Sequence, residues 1–127
     1  MKPIADVLAA PDVDPEWICN PYVGRQGITF LHGKTSIGKS PLSWELARCG
    51  SQGLPFLGWP TVASRVLYLE ADTAELIVRP RLRLMAEPIG DWKIAFFSGK
   101  TIDLRDSKNF IHSLFREWRK TYEPDLV

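Results

Sequence analysis

Gly33-Lys34-Thr35-Ser36-Ile37-Gly38-Lys39-Ser40 has the spacing GxxxxGK[ST] of a phosphate-binding loop. Glycines in a tight turn aim successive backbone N–H groups at one point, and the helix that follows adds the partial positive charge of its N-terminus. At this spacing Lys39 can reach the outer phosphates of a nucleotide and the Ser40 hydroxyl can ligate Mg²⁺. The motif needs a strand before it and a helix after it. Ile28-Thr29-Phe30-Leu31-His32, opened by Gly27, is β-branched and aromatic and predicts a strand buried on both faces. Leu42, Trp44, Leu46 and Ala47 predict a helix from about Gly38 to a left-handed cap at Gly50, with Pro41 in its first turn, where a missing N–H costs little.

Working outward, residues 50–64 (GSQGLPFLGWPTVAS) are a Gly/Pro-punctuated connection, and Arg65 to Glu70 (RVLYLE) predicts a second strand that completes a βαβ unit. Thr73 to Met85 predicts a helix, with a kink or a fresh start at Pro80. Lys93 to Phe97 predicts a third strand. Phe110, Ile111, Leu114, Phe115 and Trp118 fall on one face of a further helix that Asp106 could cap, and Pro124 to Val127 looks like the entry to a fourth strand. Residues 1–26 carry Pro3, Pro11, Pro15 and Pro21 and predict an N-terminal arm with one short helix near Ile4 to Ala9, anchored by Trp17 and Ile18. The expected fold is α/β, a mainly parallel sheet with flanking helices, over 27–127.

Composition narrows the function classes. The chain has 127 residues, room for one domain, with Lys plus Arg at 16 and Asp plus Glu at 15. That balance provides no overall field to draw nucleic acid or an anionic membrane. No apolar run approaches the roughly 18 residues of a membrane span, and the N-terminus lacks a leader pattern, so a cytoplasmic location with no membrane partner is expected. Cys19 and Cys49 lack ligand spacing and are read as buried small hydrophobes. His32 and His112 have no triad or metal partners in the pattern and are read as structural. Trp44, Trp59, Trp92 and Trp118 are read as core, and Arg79, Arg81 and Arg83 as a solvated helix face rather than a phosphate or nucleic-acid site.

Glu70 and Asp72, at the end of RVLYLEAD, are the candidate bases. A carboxylate at the carboxyl end of a strand beside the loop can orient and deprotonate an attacking water, and a solvated acid or a helix cap is the plainer alternative.

With the loop, the Leu54 to Pro60 connection and the Val66 to Asp72 strand together, the sequence resembles the RecA-like P-loop ATPases of the RepA replicative-helicase type, from about Trp17 onward. The resemblance implies a loop of Gly33, Lys34, Thr35, Ser36, Ile37, Gly38, Lys39, Ser40 and Pro41 holding ATP, preferred to GTP on this ground alone. It also implies Mg²⁺ on Ser40, a catalytic lysine at Lys39, an arginine at Arg81, and a hexameric DNA-dependent motor meeting single-stranded DNA. The family's catalytic glutamate falls on Asp72, with Glu70 two residues earlier; the shorter acid moves the base by about 1.5 Å, and an error near 1 Å can cost roughly 100-fold. Ile37 and Pro80 also depart from the pattern. The family's Mg²⁺-holding aspartate, the Walker B acid, follows a phrase like Pro124-Asp125-Leu126-Val127, so these residues are expected to be a partial core ending before that strand.

The expectation is therefore an ATP-binding P-loop ATPase core fragment that binds nucleotide weakly and hydrolyses it little. The alternatives are a non-catalytic nucleotide- or DNA-binding regulatory module and a small P-loop kinase using the Arg79 to Arg83 cluster.

Overall fold

The computed structural model describes residues 1–25, 27–97, 116–118 and 120–127. In chain order the elements are helix α1 (Ile4–Leu8), strands β1 (Trp17–Cys19) and β2 (Val23–Gly24), helix α2 (Lys39–Gln52), strand β3 (Leu67–Glu70), helix α3 (Glu75–Leu82) and strand β4 (Lys93–Phe96). The expected helix led by Asp106 and bearing Phe110, Ile111, Leu114 and Phe115 lies outside the described residues, as does His112; residues 116–118, with Trp118, are helical.

β3 and β4 pair in parallel, in register from Leu67 opposite Lys93 to Glu70 opposite Phe96. Two neighbouring parallel strands need a crossover, and α3 lies in that connection, so the βαβ unit of this chain is β3-α3-β4. The entry to a further strand at the C-terminus is also present: Leu126 forms a parallel bridge with Val66, and the Leu67 N–H donates to the Leu126 carbonyl at 2.8 Å. α2 packs on β3. The result is a small α/β structure with one parallel and one antiparallel sheet.

The strand expected at Ile28 to His32 does not form. These residues have no regular structure, and Ile28 is 84% and Phe30 89% exposed. A strand requires a partner edge, and both edges of β3 are engaged, one along its length by β4 and the other, at its start, by Leu126. The expected unit of strand 28–32, α2 and β3 is corrected accordingly.

The N-terminal stretch holds more structure than its prolines suggest. α1 is exposed throughout, but β1 and β2 form an antiparallel hairpin closed by the Tyr22 N–H on the Cys19 carbonyl at 2.7 Å. Ile18 and Cys19 are fully buried, and with Val23 they form a cluster on which Leu46 of α2, Phe56 and Leu126 pack. The connection after α2 lines up against this hairpin, with Cys19 bridging Thr61 and the Val62 N–H donating to the Ile18 carbonyl.

Three further expectations are revised. α2 runs through Gly50 to a cap at Gly53, which has φ +69°. Gly50 lies inside the helix, where a Cβ would meet Val66 at 3.8 Å and Ile18 at 4.0 Å, ordinary contact distances, whereas Gly53 takes the left-handed conformation that favours glycine. α3 does not start afresh at Pro80 but contains it, which leaves the kink of the two alternatives and removes the N–H that would have served the Leu76 carbonyl. Trp44 is core at 2% exposure, whereas Trp59 is 45% exposed and meets Tyr22 edge to face at 5.3 Å. Cys19 and Cys49 are buried and free, and burial pushes both thiols up.

The C-terminal segment is held by charge as well as by the bridge. Asp125 accepts the Arg65 backbone N–H at 2.8 Å and meets Arg25 Nη1 at 2.5 Å and Arg65 Nε at 3.6 Å. The Arg65 N–H bond, followed by the Arg25 and Arg65 charges, holds the Asp125 carboxyl below its usual range against the opposing effect of burial. A carboxyl depressed on folding stabilises above its unfolded value, about 3.9, and loses that contribution as pH falls through the folded value. Asp125→Asn is thus expected to be less stable than the parent at pH 7, with the gap narrowing below about pH 4 in urea titrations. A gap that is constant with pH would contradict the assignment.

Candidate functional site

The loop from Gly33 to Gly38 precedes α2 and takes two left-handed residues, Ser36 at φ +62° and Gly38 at φ +93°. Gly38 occupies the helix N-cap, where a side chain would strain the turn, and no side chain caps α2. The backbone N–H groups of Thr35, Ser36, Ile37 and Gly38 bond no acceptor among the described residues. Such a run of unsatisfied donors at the N-terminus of a 14-residue helix is an anion nest.

Lys39 is folded back over this loop, its Nζ donating to the Gly33 carbonyl at 2.9 Å and the Lys34 carbonyl at 2.6 Å. The ammonium is thereby held at the loop that carries the free N–H groups. A Cβ at Gly33 would meet Ile37 Cδ1, the movable end of an exposed side chain, and the Lys39 stem at an ordinary 3.8 Å. Ile37, itself 62% exposed, therefore lies across the first glycine of the loop. Ser40 and Pro41 open α2 in its exposed first turn, and the Ser40 carbonyl accepts the Ser43 hydroxyl at 2.9 Å.

Glu70 and Asp72 are placed differently. Glu70 ends β3 at 6% exposure, and its Oε1 accepts the backbone N–H groups of Asp72 at 3.2 Å and Thr73 at 3.0 Å. It fixes the turn from β3 toward α3. The Asp72 side chain is exposed and bonds no group among the described residues. Arg79, Arg81 and Arg83 are exposed, and Arg79 is paired with Glu75 at 2.5 Å. His32 is exposed. Among the described residues no cluster of three or more His, Cys, Asp or Glu could hold a metal, and no helix is long and apolar enough to cross a membrane.

Two side chains that tie the loop helix to the strand of the acids carry no motif. Ser43 of α2 and Tyr68 of β3 share a hydrogen bond of 3.0 Å. Tyr68 lies two residues before Glu70, on the same face of the strand, and period-2 alternation was the signal that could have paired them. Trp92 packs on the Tyr68 ring edge to face at 6.0 Å.

With the loop, its lysine and the β3 acids in place, the family comparison becomes decisive: a model described as an AAA domain matches residues 2–127. The chain belongs to the AAA domain family. Membership makes this a P-loop ATPase-like module, and nucleotide binding, typically with Mg²⁺, is the property the family implies. No curated protein and no solved structure matches the AAA chain.

Proposed function

We propose that this AAA-domain chain binds ATP with Mg²⁺ on residues 33–41, as part of a RecA-like ATPase core of the RepA helicase type. The observation that carries the reading is the run of unbonded N–H groups from Thr35 to Gly38 in the loop whose Gly33 and Lys34 carbonyls hold the Lys39 ammonium. These donors fit the charge and shape of a polyphosphate, and the adjacent Ser40 hydroxyl fits Mg²⁺ held jointly with phosphate oxygens. Bound Mg²⁺ would neutralise charge on those oxygens.

Catalysis would fall to the β3 acids. Asp72, exposed and unbonded, is the better base for a water, while Glu70 is engaged by two backbone N–H groups and positions the turn. The shorter reach of Asp72 supports slow hydrolysis. A hexamer acting on single-stranded DNA belongs to the same proposal and rests on the resemblance of the loop and the β3 strand. Calorimetric titration with Mg-ATP tests binding, and phosphate release with and without single-stranded DNA tests the motor reading. No heat of binding at millimolar ATP would refute the first, and DNA-independent turnover the second.

Ile37 and Gly33 give a more local check. Gly33→Ala places a methyl against Ile37 Cδ1, the movable end of an exposed side chain, so ATP binding is expected to stay within about 2-fold of the parent in the same titration. A loss of about 5-fold or more would mean that Ile37 does not swing clear.

A further inference from the structure

The helix and strand that would flank a bound nucleotide are joined by an ordered line of polar groups. The Ser43 hydroxyl donates to the Ser40 carbonyl at 2.9 Å and shares a 3.0 Å hydrogen bond with the Tyr68 hydroxyl. A hydroxyl has one proton to give, so with Ser43 donating to Ser40, Tyr68 must donate to Ser43. The Tyr68 oxygen is then left as an acceptor. Trp44, the next residue of α2, is 2% exposed, and its indole N–H has no partner at hydrogen-bond geometry among the described residues. The direction of donation is thus single: Tyr68 to Ser43 and Ser43 to the Ser40 carbonyl.

The electrostatics of Tyr68 agree with this placement. Burial pushes its phenol up and the nearby Glu70 charge adds to that, while Ser43 and the Trp44 N–H act in the opposite sense.

We infer that Tyr68, acting through Ser43, is a positioning residue for the Mg²⁺ side of the nucleotide site, fixing the Ser40 backbone of the first turn of α2 against β3 without touching nucleotide. This rests on the proposed binding of Mg-ATP. The line ends on the backbone carbonyl of Ser40, the residue whose hydroxyl is the candidate Mg²⁺ ligand, and not on Lys39, whose ammonium is held by the loop carbonyls. Its loss should therefore act on the metal-dependent part of binding and spare the part due to phosphate alone. A role in packing would move both together.

The test is calorimetric titration of the full chain with ATP in EDTA and with ATP in excess Mg²⁺, alongside thermal unfolding. Tyr68→Phe and Ser43→Ala are each expected to bind Mg-ATP about 3- to 10-fold more weakly, the range for one lost hydrogen bond, with metal-free ATP within about 2-fold of the parent. Ser43→Thr, which keeps the hydroxyl, should restore the Mg²⁺-dependent gain. Lys39→Ala, measured in parallel, should lose affinity under both conditions. The inference is overturned if Tyr68→Phe and Ser43→Ala keep the parental Mg²⁺ gain, if they lose both affinities in proportion, or if Ser43→Thr fails to rescue. Should Tyr68→Phe unfold, the Ser43 pair decides alone. A parent chain that binds no ATP, or a Lys39→Ala variant that binds normally, would fell the nucleotide reading itself, an outcome distinct from an unchanged Mg²⁺ gain.

Discussion

Lys39→Ala is expected to lower the affinity of this chain for ATP by about 100-fold or more while leaving its fold intact. The side chain brings the positive charge that the Gly33 to Gly38 loop otherwise lacks, apart from the exposed Lys34, and it is already held at this loop by the Gly33 and Lys34 carbonyls. Charge-assisted hydrogen bonds to phosphate are worth about 1.5–3 kcal/mol each, and an ammonium can make more than one, which sets the scale. Its present bonds go to two loop carbonyls, so no buried partner is orphaned and unfolding free energy should change by only about 0.5 kcal/mol. Lys39→Arg should rescue poorly, because a planar fork cannot replace a compact ammonium in a narrow nest. The check is ATP titration of parent and variants with urea unfolding of each. Equal ATP affinity in parent and Lys39→Ala would remove the loop from the binding site.

What could be read in the sequence, and what could not, divides by how local the determinant is. The loop and the start of α2 follow from glycine and lysine spacing, a requirement of a few consecutive backbone units, and both appear where GxxxxGK[ST] puts them. β3 is legible because RVLYLE combines β-branched and apolar residues in a short run bounded by turns. Gly50 and Gly53 could not be told apart in the same way, since either suits a left-handed cap. The structure puts the cap at Gly53, at φ +69°, and leaves Gly50 inside the helix with ordinary contacts to Ile18 and Val66. The β1–β2 hairpin was hidden because strands of three and two residues show no alternation to detect. In the site, the motif pointed to Lys39 and Ser40 and to the two acids. Ser43 and Tyr68 were silent, because their meaning depends on α2 lying against β3.

The second large effect separates the sequence expectation from the structure at two isoleucines. Ile18→Ala should destabilise the chain by about 2–5 kcal/mol, the cost of truncating a buried aliphatic side chain and leaving a partly collapsed cavity. Ile18 is fully buried and sits where the hairpin, α2, the 60–62 connection and Leu126 converge, so few neighbours can move in without giving up contacts of their own. Against a total stability of about 5–15 kcal/mol, that loss brings the protein close to unfolding at room temperature. Ile28→Ala is the counterpart. As the first residue of a strand buried on both faces it would cost as much as Ile18→Ala, but at 84% exposure it should change unfolding free energy by no more than about 0.5 kcal/mol. Urea unfolding of the two variants decides the matter. A large loss for Ile28→Ala would return residues 28–32 to a buried strand, and a negligible loss for Ile18→Ala would mean that the hairpin does not organise the core. Since Ile28 lies five residues before Gly33, the same pair of measurements also tells whether the loop is held from its helix side, through α2 and Ile18, or from the strand side that precedes it.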